Sequence, residues 1–328
     1  MRTQEGGTIR GCKLASATFG ALNSAKDNAI LIPTWYSGTN KIIEQVYIGK
    51  GRALDPDKYV IIIVNQIGSG PSTSPHNTPL PAGMGNFPRV RISDDVRAQY
   101  KLITEKFGLK SLALVVGGSM GAQQTYEWAV RYPDAVKRAA PIAGTAKNTE
   151  HDFLFTETLV DAITSDPGFN DGFYNSSADV RQGLLRHAKM WAVMGWSTEF
   201  FKQNRHRALG FSSMDDFIIN FTNGYFCVMD PNDLLCMAWK WQRGDVSRVT
   251  GGNLKEALGR INAKTFVMPI DDDMFFRPND CEAEQKMIAG SEFRLLKSID
   301  GHLSLFGTNA DFLGQVDKNL KDLLAIAV

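Results

Sequence analysis

The segment VVGGSMGAQQTYEW, beginning at Val115, puts a serine between glycines where an apolar run meets a helical pattern. Gly117, Ser119 and Gly121 fit the spacing G-x-S-x-G. A serine hydroxyl is a poor nucleophile unless a base takes its proton as it attacks. A sharp strand-to-helix turn exposes such an oxygen and brings the glycines close to neighbouring backbone. It also aims helix N-terminal amides at the charge that develops on an attacked carbonyl. The competing reading, a glycine turn that cradles phosphate, lacks the Walker lysine and fails the G-x-G-x-x-G spacing. The chemistry expected of Ser119 is therefore acyl transfer.

A nucleophile of this kind needs a base and a group that orients the base, in the chain order Ser, Asp/Glu, His. There are five histidines. His302, in SIDGHLSLF, follows a strand-like run and a glycine near the C-terminus, where the base loop belongs. His76, His151, His187 and His206 fall in a long loop or in the helical middle of the chain and read as surface or packing residues. The acid is expected at the end of the preceding strand, in VMPIDDDMFFRP, where spacing alone leaves Asp271, Asp272 and Asp273 open. Three adjacent acids could also bind a divalent cation. The strand-end position and a serine–base pair in need of an orienter favour a triad acid, so no metal is expected. One carboxylate suffices to fix the His302 tautomer and stabilise the imidazolium. The oxyanion needs two backbone donors: the amide of Met120, after the nucleophile, and one from the early loop TWYSG, from Trp35 or Tyr36.

These residues require strands to present them. NAILIPTW, YVIIIVNQ, SLALVVGG, VKRAAPIAG, KTFVMPID and EFRLLKSI all read as strands, with helical patterns between many of them. Such alternation indicates a mostly parallel sheet covered on both faces. RISDDVRAQYKLITEKFG reads as a helix with Ser93 as N-cap and Gly108 as terminator, and ADFLGQVDKNLKDLLAIA as a closing amphipathic helix. From 145 to 259 the chain carries Phe, Trp, Met and charges at helical spacing and few strand-like runs. The expected division is a core from 1–144 and 260–328, interrupted by a helical insertion at 145–259.

A net charge of +1 gives no electrostatic reason to capture nucleic acid or an anionic membrane surface. The four cysteines include no C-x-x-C pair, which argues against a zinc knuckle or a dithiol centre. The polar start MRTQEGGTIR has no apolar signal core, and no apolar run approaches membrane-spanning length. A cytoplasmic setting is expected.

GRALDPDKYVIIIVNQIGSG, FPRVRISDDVRAQYKLI and VVGGSMGAQQTYEWAVRYPDAVKRAAPIAG resemble, in order and spacing, blocks of the homoserine O-acetyltransferase-like branch of the α/β-hydrolase superfamily. SDPGFNDGFY resembles a segment of that branch's lid, DDDMFFRP its acid loop and GHLSLF its histidine loop. The resemblance implies an α/β-hydrolase fold with a mostly parallel eight-stranded sheet, a helical lid over Ser119 and a homodimer formed through the lid. It also implies Asp273 as the acid, His302 as the base and Tyr36 as the second oxyanion donor. Homoserine-acylating members carry a Tyr-Arg-Ser stretch in a lid helix and an aspartate directly after the catalytic histidine. Here LLRHAKMWAVMGWSTEF has no such triplet, residue 303 is leucine, and PTWYSGTN replaces their oxyanion loop. A site that has lost the groups for a zwitterion should not favour that acceptor.

The expected activity is hydrolysis of an ester or thioester through an acyl-Ser119 intermediate resolved by water, on a small-molecule acyl substrate and without a cofactor. The alternative is a ping-pong O-acyltransferase using acetyl-CoA or another acyl thioester as co-substrate, with an acceptor other than homoserine. A binding scaffold without activity is disfavoured because Ser119, Asp273 and His302 are all in place. Trp35, Trp191, Trp196 and Tyr225 are candidate substrate contacts.

Overall fold

Runs of apolar, often β-branched residues build the centre of the molecule. The structure, a computed structural model, describes residues 1–328. Its strands are β1 (Ser16–Phe19), β2 (Ala29–Pro33), β3 (Val60–Val64), β4 (Leu114–Gly118), β5 (Arg138–Ile142), β6 (Lys264–Val267) and β7 (Glu292–Phe293). They form one sheet in the order β1-β3-β2-β4-β5-β6-β7, with β1 antiparallel to β3 and every other pairing parallel. β2, β3 and β4 are buried along their whole length, as strands covered on both faces must be. Successive side chains point to opposite faces. In β3, Val60, Ile62 and Val64 accordingly join the larger core cluster, and Ile61 and Ile63 the smaller one.

The sheet has seven strands, not eight. The first fifteen residues contribute only an isolated bridge between Arg2 and Thr8. Gly6 and Gly11, both at positive φ, turn the chain before a strand develops. β7 is also shorter than EFRLLKSI suggested. It pairs over two residues, and the next contact with that side of the sheet is a single bridge from Leu296 to Ile270.

Helix α1 (Asn40–Tyr47) and the closing helix Ala310–Ala325 supply Ile43, Phe312, Val316, Leu320 and Leu323 to the smaller cluster. Helices α2 (Ile92–Lys101) and α3 (Met120–Arg131) contribute to the larger one. The N-cap of α2 is Arg91, not Ser93. The Asp94 carboxylate accepts the Arg91 amide at 2.9 Å and starts the helix earlier. Gly108, at φ +64, follows the wider turn Leu102–Lys106 that ends this segment.

Between β5 and β6 every regular element is helical. Its longest helices are α4 (Glu150–Thr164), α5 (Arg181–Gly195) and the helix Pro231–Gln242. Thr149 and Asp152 close a capping box at the start of α4. Asp230 caps the helix that Pro231 begins. β5 and β6 are neighbours in the sheet, so this long segment leaves and re-enters it between adjacent strands.

Candidate active site

The turn from β4 to α3 has no room for larger residues. A Cβ on Gly117 would lie 2.4 Å from the Gly121 backbone, and one on Gly121 would lie 2.6 Å from the Pro33 carbonyl oxygen. Ser119 stands between them at φ 54, ψ −125, a left-handed backbone that costs a non-glycine residue about 1–3 kcal/mol. Its amide donates to the Ile142 carbonyl at 2.9 Å, which ties the turn to β5.

His302 lies in the single helical turn Gly301–Phe306 that follows the β7 edge of the sheet. Its Nε2 is 2.9 Å from Ser119 Oγ and its Nδ1 is 2.7 Å from Asp273 Oδ2. A carboxylate only accepts, so Nδ1 carries the proton and Nε2 is free to take the Ser119 hydroxyl hydrogen. Asp273 is fully buried, and its other oxygen accepts the amides of Phe275 at 2.8 Å and Phe276 at 3.1 Å. Phe275 meets the imidazole edge-on, with ring centroids 5.1 Å apart. This is the geometry in which an imidazole can accept a proton from an attacking serine and have its cationic form stabilised.

The three aspartates have distinct surroundings. Asp271 accepts the amides of Asp272 at 3.0 Å and Ser298 at 2.9 Å, and so joins the acid loop to the segment before His302. Asp272 is partly exposed, and burial together with the neighbouring Asp271 charge raises its carboxyl above the usual range. Asp273 alone reaches the imidazole. The group whose ligand atoms could converge on a metal lies elsewhere, at His76, Asp230 and Asp233. Those residues already engage one another or the protein: His76 Nδ1 is 2.5 Å from Asp233, and Asp230 accepts the Tyr174 hydroxyl at 2.7 Å and caps its helix.

The amides of Met120 and Tyr36 make no hydrogen bond within the protein. Met120 is the first residue of α3, and Tyr36 follows the Pro33–Thr34 segment that packs on Gly121. The Tyr36 side chain runs into the inserted segment. Its hydroxyl donates to the Leu234 carbonyl at 3.1 Å and lies 3.0 Å from His187 Nε2. With the phenolic hydrogen used on Leu234, Nε2 of His187 is the donor to Tyr36. His187 Nδ1 then remains an unprotonated, buried atom without a partner. Burial pushes the His187 imidazole down to about 3, in keeping with this neutral form.

Of the four candidate substrate contacts, Trp191 is the one whose ring packs on Phe275, which in turn meets the His302 imidazole. It packs on Tyr36 at 5.3 Å, Phe275 at 5.4 Å and Trp241 at 5.9 Å. Trp35 faces the other side of the sheet, within the smaller core cluster, against Phe306. Trp196 stacks on Phe200 at 4.1 Å and meets Phe217 and Phe221, so its ring partners all belong to the inserted segment. The Tyr225 hydroxyl donates to the Ser37 carbonyl at 2.9 Å and holds the end of the loop that contains Tyr36.

Two glutamines that carried no signal in the sequence hold the start of the Tyr36 loop. Gln66 Nε2 donates to the Thr34 carbonyl at 2.7 Å, and Gln124 Nε2 donates to the same oxygen at 3.1 Å. Both are fully buried. They become visible as site residues only once β3 and α3 flank the end of β2.

The chain as a whole is similar to known proteins. Residues 30–307 match the family described as alpha/beta hydrolase fold. The chain is 65% identical over 322 residues to the ethyl acetate hydrolase of Pseudomonas veronii, covering 98% of this chain and 92% of that one. The crystal structure of an acetylester hydrolase from Corynebacterium glutamicum superposes with a TM-score of 0.98 at 57% identity, covering 99% and 94%. A homoserine O-acetyltransferase of Trichormus variabilis is 30% identical over 332 residues, covering 98% and 91%.

Proposed function

The chain belongs to the homoserine O-acetyltransferase-like branch of the α/β-hydrolase family, and from this premise we propose that it hydrolyses esters of short acyl groups through an acyl-Ser119 intermediate. The observation that carries the proposal is the buried chain Ser119 Oγ–His302–Asp273, with spacings of 2.9 and 2.7 Å. His302 Nε2 takes the hydroxyl proton as Oγ bonds to the ester carbonyl carbon. The amides of Met120 and Tyr36 receive the oxyanion. The carbon–alkoxy bond then breaks, and the alcohol leaves with the proton held on His302. A water gives His302 a proton as it attacks the acyl carbon. Ser119 departs with that proton, and a carboxylic acid is released.

Water as the acceptor is supported by what stands beside the base. Leu303 is buried in the larger core cluster, and a Cβ on Gly195 would lie 2.8 Å from its side chain. An apolar contact thus occupies the position where homoserine-acylating members carry an aspartate. A short acyl group is supported by the crowding. Ser119 and His302 are each 3% exposed, and Tyr36, Trp191, Trp241, Phe155 and Phe275 pack ring against ring beside them. The related ethyl acetate hydrolase and acetylester hydrolase bear names consistent with that size. The inserted segment acts as the lid, and two copies pair through its apolar surface, where Leu154 on α4 and Val193 on α5 are 65% and 61% exposed.

Hydrolysis of 4-nitrophenyl esters of increasing acyl length tests the reading. The acetyl ester should exceed the hexanoyl ester in kcat/KM by at least about tenfold, the size of discrimination a filled apolar pocket supplies. Ser119→Ala should abolish turnover of both. Equal rates for the two esters would refute the short-acyl assignment, and turnover by Ser119→Ala would remove Ser119 from the reaction.

A further inference from the structure

The helix Pro231–Gln242 carries a lysine that is completely buried. Lys240 is 0% exposed, and its ammonium has three protein acceptors: Asp95 Oδ2 on α2, the Ile67 carbonyl at 2.7 Å and Gln66 Oε1 at 3.3 Å. Asp95 is likewise 0% exposed, and its second oxygen accepts the Ile67 amide at 2.7 Å. Every hydrogen-bonding position of the ammonium is thereby used. Burying two charges is expensive, and an apolar pair of similar volume often serves stability equally well. The pair therefore calls for a role beyond holding the fold together.

Its contact with Gln66 supplies one. A primary amide has an acceptor end and a donor end. With Oε1 committed to Lys240, Nε2 must point the other way, and it donates to the Thr34 carbonyl. Without the ammonium the amide could rotate and present its oxygen to that carbonyl, which would repel it. Thr34 begins the loop that presents the free amide of Tyr36, and Gln124 grips the same carbonyl from α3. The lid also holds this loop from its far end, through the Tyr36 hydroxyl at Leu234 and His187.

We propose that Lys240 is a positioning residue for the oxyanion loop: seated on the lid and neutralised by Asp95, it fixes the orientation of the Gln66 amide, which in turn fixes Thr34 and the donor at Tyr36. The lid is on this account a structural part of the oxyanion site as well as its cover. The inference rests on the assignment of Ser119 as nucleophile and Tyr36 as oxyanion donor.

The test compares wild type with Gln66→Glu, which keeps the size and the Lys240 contact but turns the donor facing Thr34 into an acceptor. A second variant, Lys240→Met with Asp95→Asn, removes both charges and leaves an acceptor for the Ile67 amide. Two rates are read. Turnover of 4-nitrophenyl acetate reports the hydrolase reading. The second-order rate of Ser119 phosphonylation by an alkyl fluorophosphonate reports the elbow and its oxyanion donors whatever the natural substrate is. The expected result for Gln66→Glu is a phosphonylation rate and a kcat each lowered at least tenfold, KM within twofold of wild type and an unchanged circular dichroism spectrum. The double variant should show a smaller loss of the same kind. A folded Gln66→Glu protein with wild-type phosphonylation overturns the proposal. If Gln66→Glu does not fold, the double variant decides by the same criterion, wild-type phosphonylation again overturning it. Absence of ester turnover in wild type, with phosphonylation still dependent on Gln66, would overturn the hydrolase reading and leave the relay standing.

Discussion

At the scale of single residues, the assignment turns on which of three adjacent aspartates meets the imidazole. Spacing left Asp271, Asp272 and Asp273 open, because all three close the same strand-like run. Their local backbone sets them apart: Asp273 accepts two following amides with one oxygen and aims the other at His302, which is the geometry the proposed assignment rests on. Asp273→Asn should lower kcat by about 10⁴-fold, since the amide can donate to Nδ1 and favour the wrong tautomer. Asp272→Asn should leave kcat within about twofold, because its side chain makes no hydrogen bond to the triad. Steady-state kinetics of the two variants checks both, and a large loss in Asp272→Asn alone would reverse the assignment. The meeting of Ser119 and His302 is legible in the sequence although 183 positions separate them, because a serine turn between glycines and a histidine after a late strand are local patterns. That of Gln66 and Lys240 is not. Their roles depend on a contact across 174 positions between residue types that are ordinary on any surface.

At the scale of elements, the inner strands are legible in the sequence because strands buried on both faces need unbroken apolar runs, and β2, β3 and β4 consist of little else. The edges are less legible. The edge strand β1 is not among the strand-like runs, and the second half of EFRLLKSI lies where pairing ends; apolar composition does not say where a partner stops. The junction of α5 with the Tyr36 loop is also invisible in the sequence, since His187 looks like any packing histidine. It carries a pH dependence. Its imidazole is held near 3 in the folded protein against an ordinary value of 6.5. Between these values the unfolded chain binds a proton that the folded one does not, so stability falls as pH falls below about 6.5. At most this group adds about 1.4 kcal/mol of lost stability per pH unit. His187→Gln, which retains a donor for the Tyr36 oxygen, should flatten the decline of the melting midpoint between pH 6.5 and pH 4.5. An unchanged slope would show that His187 does not govern it.

At the scale of the whole molecule, the groups proposed to be catalytic come from the two flanks of one long helical segment between β5 and β6. Ser119 and the oxyanion loop precede it, Asp273 and His302 follow it, and the insertion itself grips Tyr36 and, through Lys240, Gln66. The proposed site is thus assembled only when the flanking strands and the helical segment between β5 and β6 are packed together. No helix is long and apolar enough to cross a membrane. Pairing through Leu154 and Val193 is open to sedimentation at two protein concentrations, where a monomer mass throughout would remove it. The central claim, that an acyl-Ser119 intermediate is resolved by water, is tested most directly by quenching a reaction with an aryl acetate in the presence of added homoserine and following both products over time. The account predicts an acetyl group on the peptide that contains Ser119, and free acetate released as fast as the phenol. Formation of O-acetylhomoserine faster than acetate would contradict it.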